Sequence, residues 1–456
     1  MSASPPAPSS PAQPTRAPAA PRAIRFIGYP IPTDHQTEYA VGTDGNMMVG
    51  TYLGADEPRA DITTRIAILR HAVETARALL PTDEEPGSVL NVFVAPEFFW
   101  HGGQGPYLFE PHEPDPADLI LDALEHAFPA DQYADWLFVA GTVVSAQVGD
   151  RHQLWAEPSV QIRNDTVKAL TEQYRKASGA ITSLVYDMLR GFVVHCHAYP
   201  NVEVRNRAIV LSRIPVDGIR AELGAHRLTT EKYYDSNEDF LLFDVMGRPD
   251  VITEQMTAYP VLDLSGGDDK REPFDIRAIF RHDYGQGHAD IGVEICLDHA
   301  DNRLRRNINS PTWPAAGGLR LHLLPSCGMQ LTAAGVAAGV GGWAFNCDGE
   351  YAIDGAHPKG TPRHGTPGGV DSVYVDVVSP VSAHYGGHTQ LARVKEPARG
   401  GNPKDPASTP ASFHTLSTDI VSVHPVTPIP ELGAAFAGGP GALHVYGLAT
   451  PLPYDL

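Results

Sequence analysis

Short apolar runs alternate along this chain with segments whose apolar residues recur at helical spacing. That alternation limits the fold more than any other feature. Val89 to Ala95 (VLNVFVA) is apolar almost throughout, the pattern of a strand covered on both faces. Just before it, Ile62, Ile66, Leu69, Val73, Ala76 and Leu80 fall at helical spacing. Asp61 is placed to cap this helix, and Pro81 and Gly87 to end it. The same reading gives strands at 23–30, 136–144, 208–211, 289–296 and 319–324, with helices at 116–128 and about 300–308. Strand–helix–strand alternation of this kind predicts an α/β layered domain.

Two stretches, 150–200 and 244–288, do not fit the alternation and read as insertions. Residues 1–22 hold seven prolines and read as a disordered tail. Residues 23–456 read as one domain. Its last part, 421–456, has apolar pieces without a clear period and is expected to pack on the domain or on a partner subunit.

Composition narrows the function. Lys and Arg number 34 and Asp and Glu 54, for a net charge of −20. That charge argues against general nucleic-acid binding, which needs a basic face, and against an anionic membrane surface. No run of 18 apolar residues predicts a transmembrane helix. The four cysteines, Cys196, Cys296, Cys327 and Cys347, stand singly with no CxxC. They make no disulfide framework, and a reducing cytoplasm is the expected compartment.

Two residues stand where chemistry is built in α/β proteins, at the carboxyl ends of strands. Glu97 ends VLNVFVA among Pro96, Phe98, Phe99 and Trp100, and apolar neighbours suit a general base. Cys296 ends ADIGVEIC and opens the polar stretch LDHADNRLRR. A thiol at a helix N-terminus is expected to have a depressed pKa. Cys327 has a similar but weaker position, and Cys196 and Cys347 read as small buried residues. His195 and His197 alternate on a predicted strand and offer a metal-ligand alternative, although paired zinc spacing is missing. The chain has no GxSxG, GxxxxGK[ST] or GxGxxG segment.

Together, APEFFW, a later lysine and GVEICLDHADNRLRR resemble the three signature segments of the nitrilase, or carbon–nitrogen hydrolase, superfamily. AGT at 140–142, NRAIVLSRIPVDG at 206–218, LRLHLLPS at 319–326 and AFNCDG at 344–349 extend the resemblance. It implies a four-layer αββα sandwich and a catalytic Glu97–Lys232–Cys296 triad with no cofactor and no metal. It also implies a small-molecule amide or nitrile as substrate, and pairing of subunits into a homodimer or larger homo-oligomer. The Leu297 backbone N–H would help hold the oxyanion, and Glu238 is the nearest match to a second glutamate near the lysine.

Lys232, in LTTEKYYD, follows the strand and turn as the family lysine does. Lys176, in EQYRKAS, has the family's local look but precedes that strand, and stands as the rival. The insertions are expected to close over the site and restrict it to small substrates, with Tyr259, Phe274, Phe280 and Tyr284 lining a pocket. Two alternatives to the hydrolase remain: a binding protein that kept only the fold, and a metal-dependent hydrolase using His195 and His197.

Overall fold

Along Val89–Ala95 successive side chains point to opposite sides, and every position is buried. Leu90, Val92 and Val94 enter one apolar core, while Phe93 and Ala95 enter another. Two covered faces are the reason this strand carries no polar alternation. The structure, a computed structural model, describes residues 21–34, 36–41, 47–51, 53–55, 57–103, 105–147, 176, 202–214, 216–218, 226–232, 253–255, 278–284, 287–306, 318–350, 389–400 and 407–454.

The architecture is mixed α/β, built on two large sheets. The ten-stranded sheet runs β10 (Thr253–Gln255), β7 (Val202–Ser212), β6 (Trp136–Gln147), β4 (Val89–Ala95), β1 (Ala23–Gly28), β18 (Ala442–Tyr446), β17 (Val421–Pro425). Off this path, β19 (Leu452–Pro453) pairs with β1, β5 (Tyr107–Phe109) with β6, and β9 (Arg227–Glu231) with β7. The seven-stranded sheet runs β16 (Ser412–Phe413), β15 (Gln390–Glu396), β14 (Ala338–Asp348), β13 (Leu319–Ser326), β12 (His288–Val293), β11 (Ile279–Asp283), β8 (Val216–Gly218). A separate hairpin joins β2 (Gln36–Val41) and β3 (Met47–Thr51). β1, β4 and β6 run parallel, as do β12, β13 and β14.

The two sheets share a core. Ile24, Phe26, Leu90, Val92, Leu137 and Val139 from one meet Ile291, Val293, Leu321, Leu323, Trp343 and Phe345 from the other. Helices α1 (Pro58–Leu79) and α2 (Pro116–Ala127) cover the opposite face of the ten-stranded sheet, through Ile62, Leu69, Val73, Ile120 and Leu124. Among the described residues, no helix is long and apolar enough to cross a membrane.

Several expectations need correction. Glu57, not Asp61, caps α1, accepting from the Arg59 and Ala60 amides. Asp61 lies one turn inside, buried, where it binds the Arg65 guanidinium at 2.6 Å and the Ala55 amide at 2.8 Å. The polar helix expected near 300–308 is two single turns, α3 (Leu297–Ala300) and α4 (Arg303–Arg306), broken at Asn302, whose φ is 58°. The C-terminal stretch packs on the domain, one of its two expected places. It supplies β17, β18 and β19, and β18 pairs directly with β1.

The second insertion is shorter than expected. Its last part is β11, a strand of the seven-stranded sheet. Phe280 and Tyr284 pack in the core between the sheets and do not form a lid. Residues 253–255 form an edge strand on β7. Tyr259, Phe274 and the 150–200 stretch apart from Lys176 lie outside the described residues.

Candidate active site

The site gathers at the carboxyl ends of β4, β12, β13 and β14. Glu97 follows β4, and its backbone is fixed on both sides. Its N–H donates to the Ser326 carbonyl at the end of β13 (3.2 Å), and its carbonyl accepts from the Thr33 hydroxyl (2.6 Å). The next residue, Phe98, has a φ of 58° and donates its N–H to Thr142 Oγ1 at 2.9 Å. Such a backbone position is held only where its surroundings fix it.

β6 supplies that constraint. Its register shifts between Val139 and Thr142, at the AGT segment. Gly141 there has a φ of +76°, and a Cβ on it would sit 2.6 Å from both Phe99 Cβ and the Pro96 carbonyl. Only glycine lets the Glu97 loop lie this close to the strand. Gly349, in AFNCDG, has the same role against Thr33, whose Oγ1 would be 2.0 Å from an added Cβ.

Lys232 arrives by strand pairing. β9 lies antiparallel on β7, and the Lys232 N–H continues the ladder to the Asn206 carbonyl at 2.8 Å. The Lys232 ammonium then donates to Glu97 Oε1 at 2.9 Å. Asn206 Nδ2 donates to the same oxygen, also at 2.9 Å. The Phe98 ring lies beneath the ammonium, 5.8 Å from its centroid. Glu97, Lys232 and Asn206 are all buried. Removing an ion pair from water is costly, so a buried pair is weak evidence of stability and directs attention to function.

Cys296 follows β12 and has the least ordinary backbone of the site, with φ 44° and ψ −109°. Its N–H donates to the Pro325 carbonyl (3.2 Å), and its thiol lies 3.5 Å from the Cys327 carbonyl. The Glu97 carboxylate lies close enough for its charge to act on the thiol. The amides of Asp298 and His299 are taken by the carbonyls of Ile295 and Cys296. Among the described residues, that of Leu297 meets no backbone acceptor.

The depressed thiol pKa expected from sequence is not found. Burial pushes the Cys296 thiol well above its ordinary value, and the Glu97 anion pushes it further, against the opposing pull of Lys232. The helix that follows has only four residues, too few peptide dipoles to offset this. Cys296 therefore rests as a thiol beside a base. Cys327 and Cys347 are also raised, first by burial.

The geometry thus brings Glu97, Lys232 and Cys296 together and adds Asn206, which sequence reading placed in a motif but not in the site. Its one signal was an amide at the start of the apolar run AIVLS. Lys176 is an exposed helical residue. Glu238, His195 and His197 lie outside the described residues. Arg303 ties two parts of the site together, donating from Nη1 to Asp298 Oδ2 (2.9 Å) and to the Glu231 carbonyl beside Lys232 (2.7 Å).

Sequence reading also missed a buried cluster of metal-ligand types, Glu294, His299 and His322, whose ligand atoms lie within 4.8 Å of one another. Their hydrogen bonds do not suit a metal. The Thr332 N–H donates to His299 Nε2 (2.9 Å) and the Ala337 N–H to His322 Nδ1 (3.2 Å). A backbone amide can only donate, so these nitrogens carry lone pairs. The ring protons then sit on His299 Nδ1 and His322 Nε2, the two atoms that face Glu294 and that a metal would need bare. No protein-family model matches the chain, and no curated protein matches it.

Proposed function

We propose that the chain is a carbon–nitrogen hydrolase of the nitrilase type, a four-layer αββα sandwich that cleaves the C–N bond of a small organic amide. One observation carries the reading. A buried carboxylate, Glu97, accepts from Lys232 and Asn206 through one oxygen, and its charge acts directly on the neighbouring Cys296 thiol. That arrangement supplies a nucleophile, a base and a cation within one buried cluster, as acyl transfer requires.

The steps follow from the residue types. Glu97 takes the thiol proton as sulfur attacks the carbonyl carbon. Charge develops on the substrate oxygen, and the Lys232 ammonium and Leu297 N–H stabilise it. Collapse expels ammonia or an amine, which leaves with the proton held by Glu97. Water, activated by the same carboxylate, then resolves the thioacyl-enzyme to the acid. Cys296 is 3 % exposed and Lys232 1 %, so a small substrate fits better than a protein chain. A nitrile would use the same residues. The family resemblance favours the amide and a homodimer or larger homo-oligomer, and the single, scattered cysteines favour a cytoplasmic setting.

The test is a panel of small amides, nitriles and carbamoyl compounds offered to the wild type and to Cys296→Ala. Wild type is expected to release ammonia or amine from one class and, on rapid quenching, to carry an acyl mass on the Cys296 peptide. Turnover retained by Cys296→Ala would sink the reading.

A further inference from the structure

We propose that Glu294, His299 and His322 form a buried positioning network that holds Cys296 in its attacking conformation. The inference rests on the cysteine-nucleophile reading above and extends it to residues that do not touch substrate.

The three residues grip the nucleophile's segment from both sides and from the neighbouring strand. Glu294 stands two residues before Cys296, with its N–H on the Leu323 carbonyl of β13. His299 stands three residues after, and its N–H closes the first turn onto the Cys296 carbonyl at 2.9 Å. His322 lies within β13. Their side chains converge on one carboxylate. His299 Nδ1 donates to Glu294 Oε1 at 2.6 Å. His322 Nε2 lies 2.8 Å from the same oxygen, out of line for a straight hydrogen bond. The Leu304 N–H takes Oε2 at 3.1 Å, which adds α4 to the assembly. All three residues are 2 % exposed or less.

The fixed tautomers make the network directional. Both rings are neutral, and each turns its one proton to the carboxylate and its lone pair to a backbone amide. Burial alone would raise the Glu294 carboxyl, but the N–H groups that the two facing imidazoles turn to it hold it below the usual carboxylate range. The His299 ring packs against Gly335, where even a Cβ would come within 2.6 Å of its Cε1. Opposing this rigid assembly is the strain at Cys296, whose φ of 44° a non-glycine residue holds only under constraint. With the network loosened, the backbone relaxes toward negative φ and the sulfur shifts relative to Glu97. A misplacement of about 1 Å lowers rate by roughly 10²-fold.

The experiment compares wild type, Glu294→Gln and Cys296→Ala on the substrate found above. Glutamine keeps the shape but puts an N–H₂ where a carboxylate accepted. Glu294→Gln is expected to lower kcat by about 10–10²-fold with KM little changed, and to slow chloroacetamide labelling of Cys296. An unchanged kcat and labelling rate in folded Glu294→Gln, with Cys296→Ala inactive, overturns the network and spares the hydrolase. An active Cys296→Ala overturns the hydrolase itself, and the network with it. Imidazole ¹⁵N spectra of the wild type give an answer even if Glu294→Gln does not fold. They should show the His299 ring proton on Nδ1 and the His322 ring proton on Nε2. The opposite tautomers, or one zinc per chain that His322→Gln removes, would overturn the proposal.

Discussion

A single carboxylate oxygen organises the site. Glu97 Oε1 receives both Lys232 Nζ and Asn206 Nδ2, and the same carboxylate acts on the Cys296 thiol through its charge. Lys232→Ala is expected to lose at least 10²–10³ of kcat, the cost of removing one oxyanion donor, while Lys176→Ala stays near wild type. The reverse pattern would move the role to Lys176. Asn206→Ala removes a neutral donor from a charged acceptor, an interaction of about 1.5–3 kcal/mol. Its kcat/KM should fall roughly 10–150-fold, and a value within twofold of wild type would show Asn206 to be only a strand residue. The residue scale was half legible. Glu97 and Cys296 stand out because an acid and a thiol end apolar strands. Asn206 does not, because its partner lies 109 positions away.

Elements hold these residues through close approaches. The Glu97 loop lies on β6 where the ladder slips at Gly141, and the Phe98 and Trp100 amides both use Thr142. Gly141→Ala would place a methyl 2.6 Å from Phe99 Cβ and the Pro96 carbonyl, at a φ of +76°. Such a substitution is expected to cost about 1–3 kcal/mol of unfolding free energy, read as a lower urea midpoint, and to lower kcat/KM at least tenfold by shifting Glu97. Full activity in Gly141→Ala would show that the loop does not depend on this contact. At this scale the sequence was most readable where periodicity was strong, as in α1, α2, β4 and β6. It was least readable where pairing supplies the order. β17 and β18 have mixed patterns and become strands because β1 offers an open edge to β18, and β18 one to β17. β11 read as insertion because only its pairing with β12 and β8 makes it part of a sheet.

For the whole molecule, buried ionisable groups set the pH range of stability. Burial, before any other cause, holds His101, His282 and His299 below the ordinary imidazole range, His282 down to about 3. Glu294 is held below the carboxylate range. Each binds its proton more readily unfolded, so its stabilisation is whole above the unfolded pKa and is lost as pH falls. Unfolded values are about 6.5 for histidine and about 4.3 for glutamate. The unfolding free energy from urea titrations should therefore drop from about pH 6.5 downward and more steeply below about 4.3, by about 1.4 kcal/mol per pH unit for each full proton. Buried Cys296, Cys327, Cys347, Tyr107 and Tyr446 are raised, with burial again first, so stability should also fall above about pH 8.5–10. Midpoints that rise from pH 7 to pH 5 would contradict this account. By itself the sequence determined the α/β class and the strands that end in Glu97 and Cys296, because periodicity and apolar runs are local properties. Only the tertiary structure decided that Lys232 meets Glu97, that the Cys296 thiol is raised, and that Glu294, His299 and His322 close a network. Each of these depends on burial and on partners brought together by strand pairing, and neither is written in neighbouring residues.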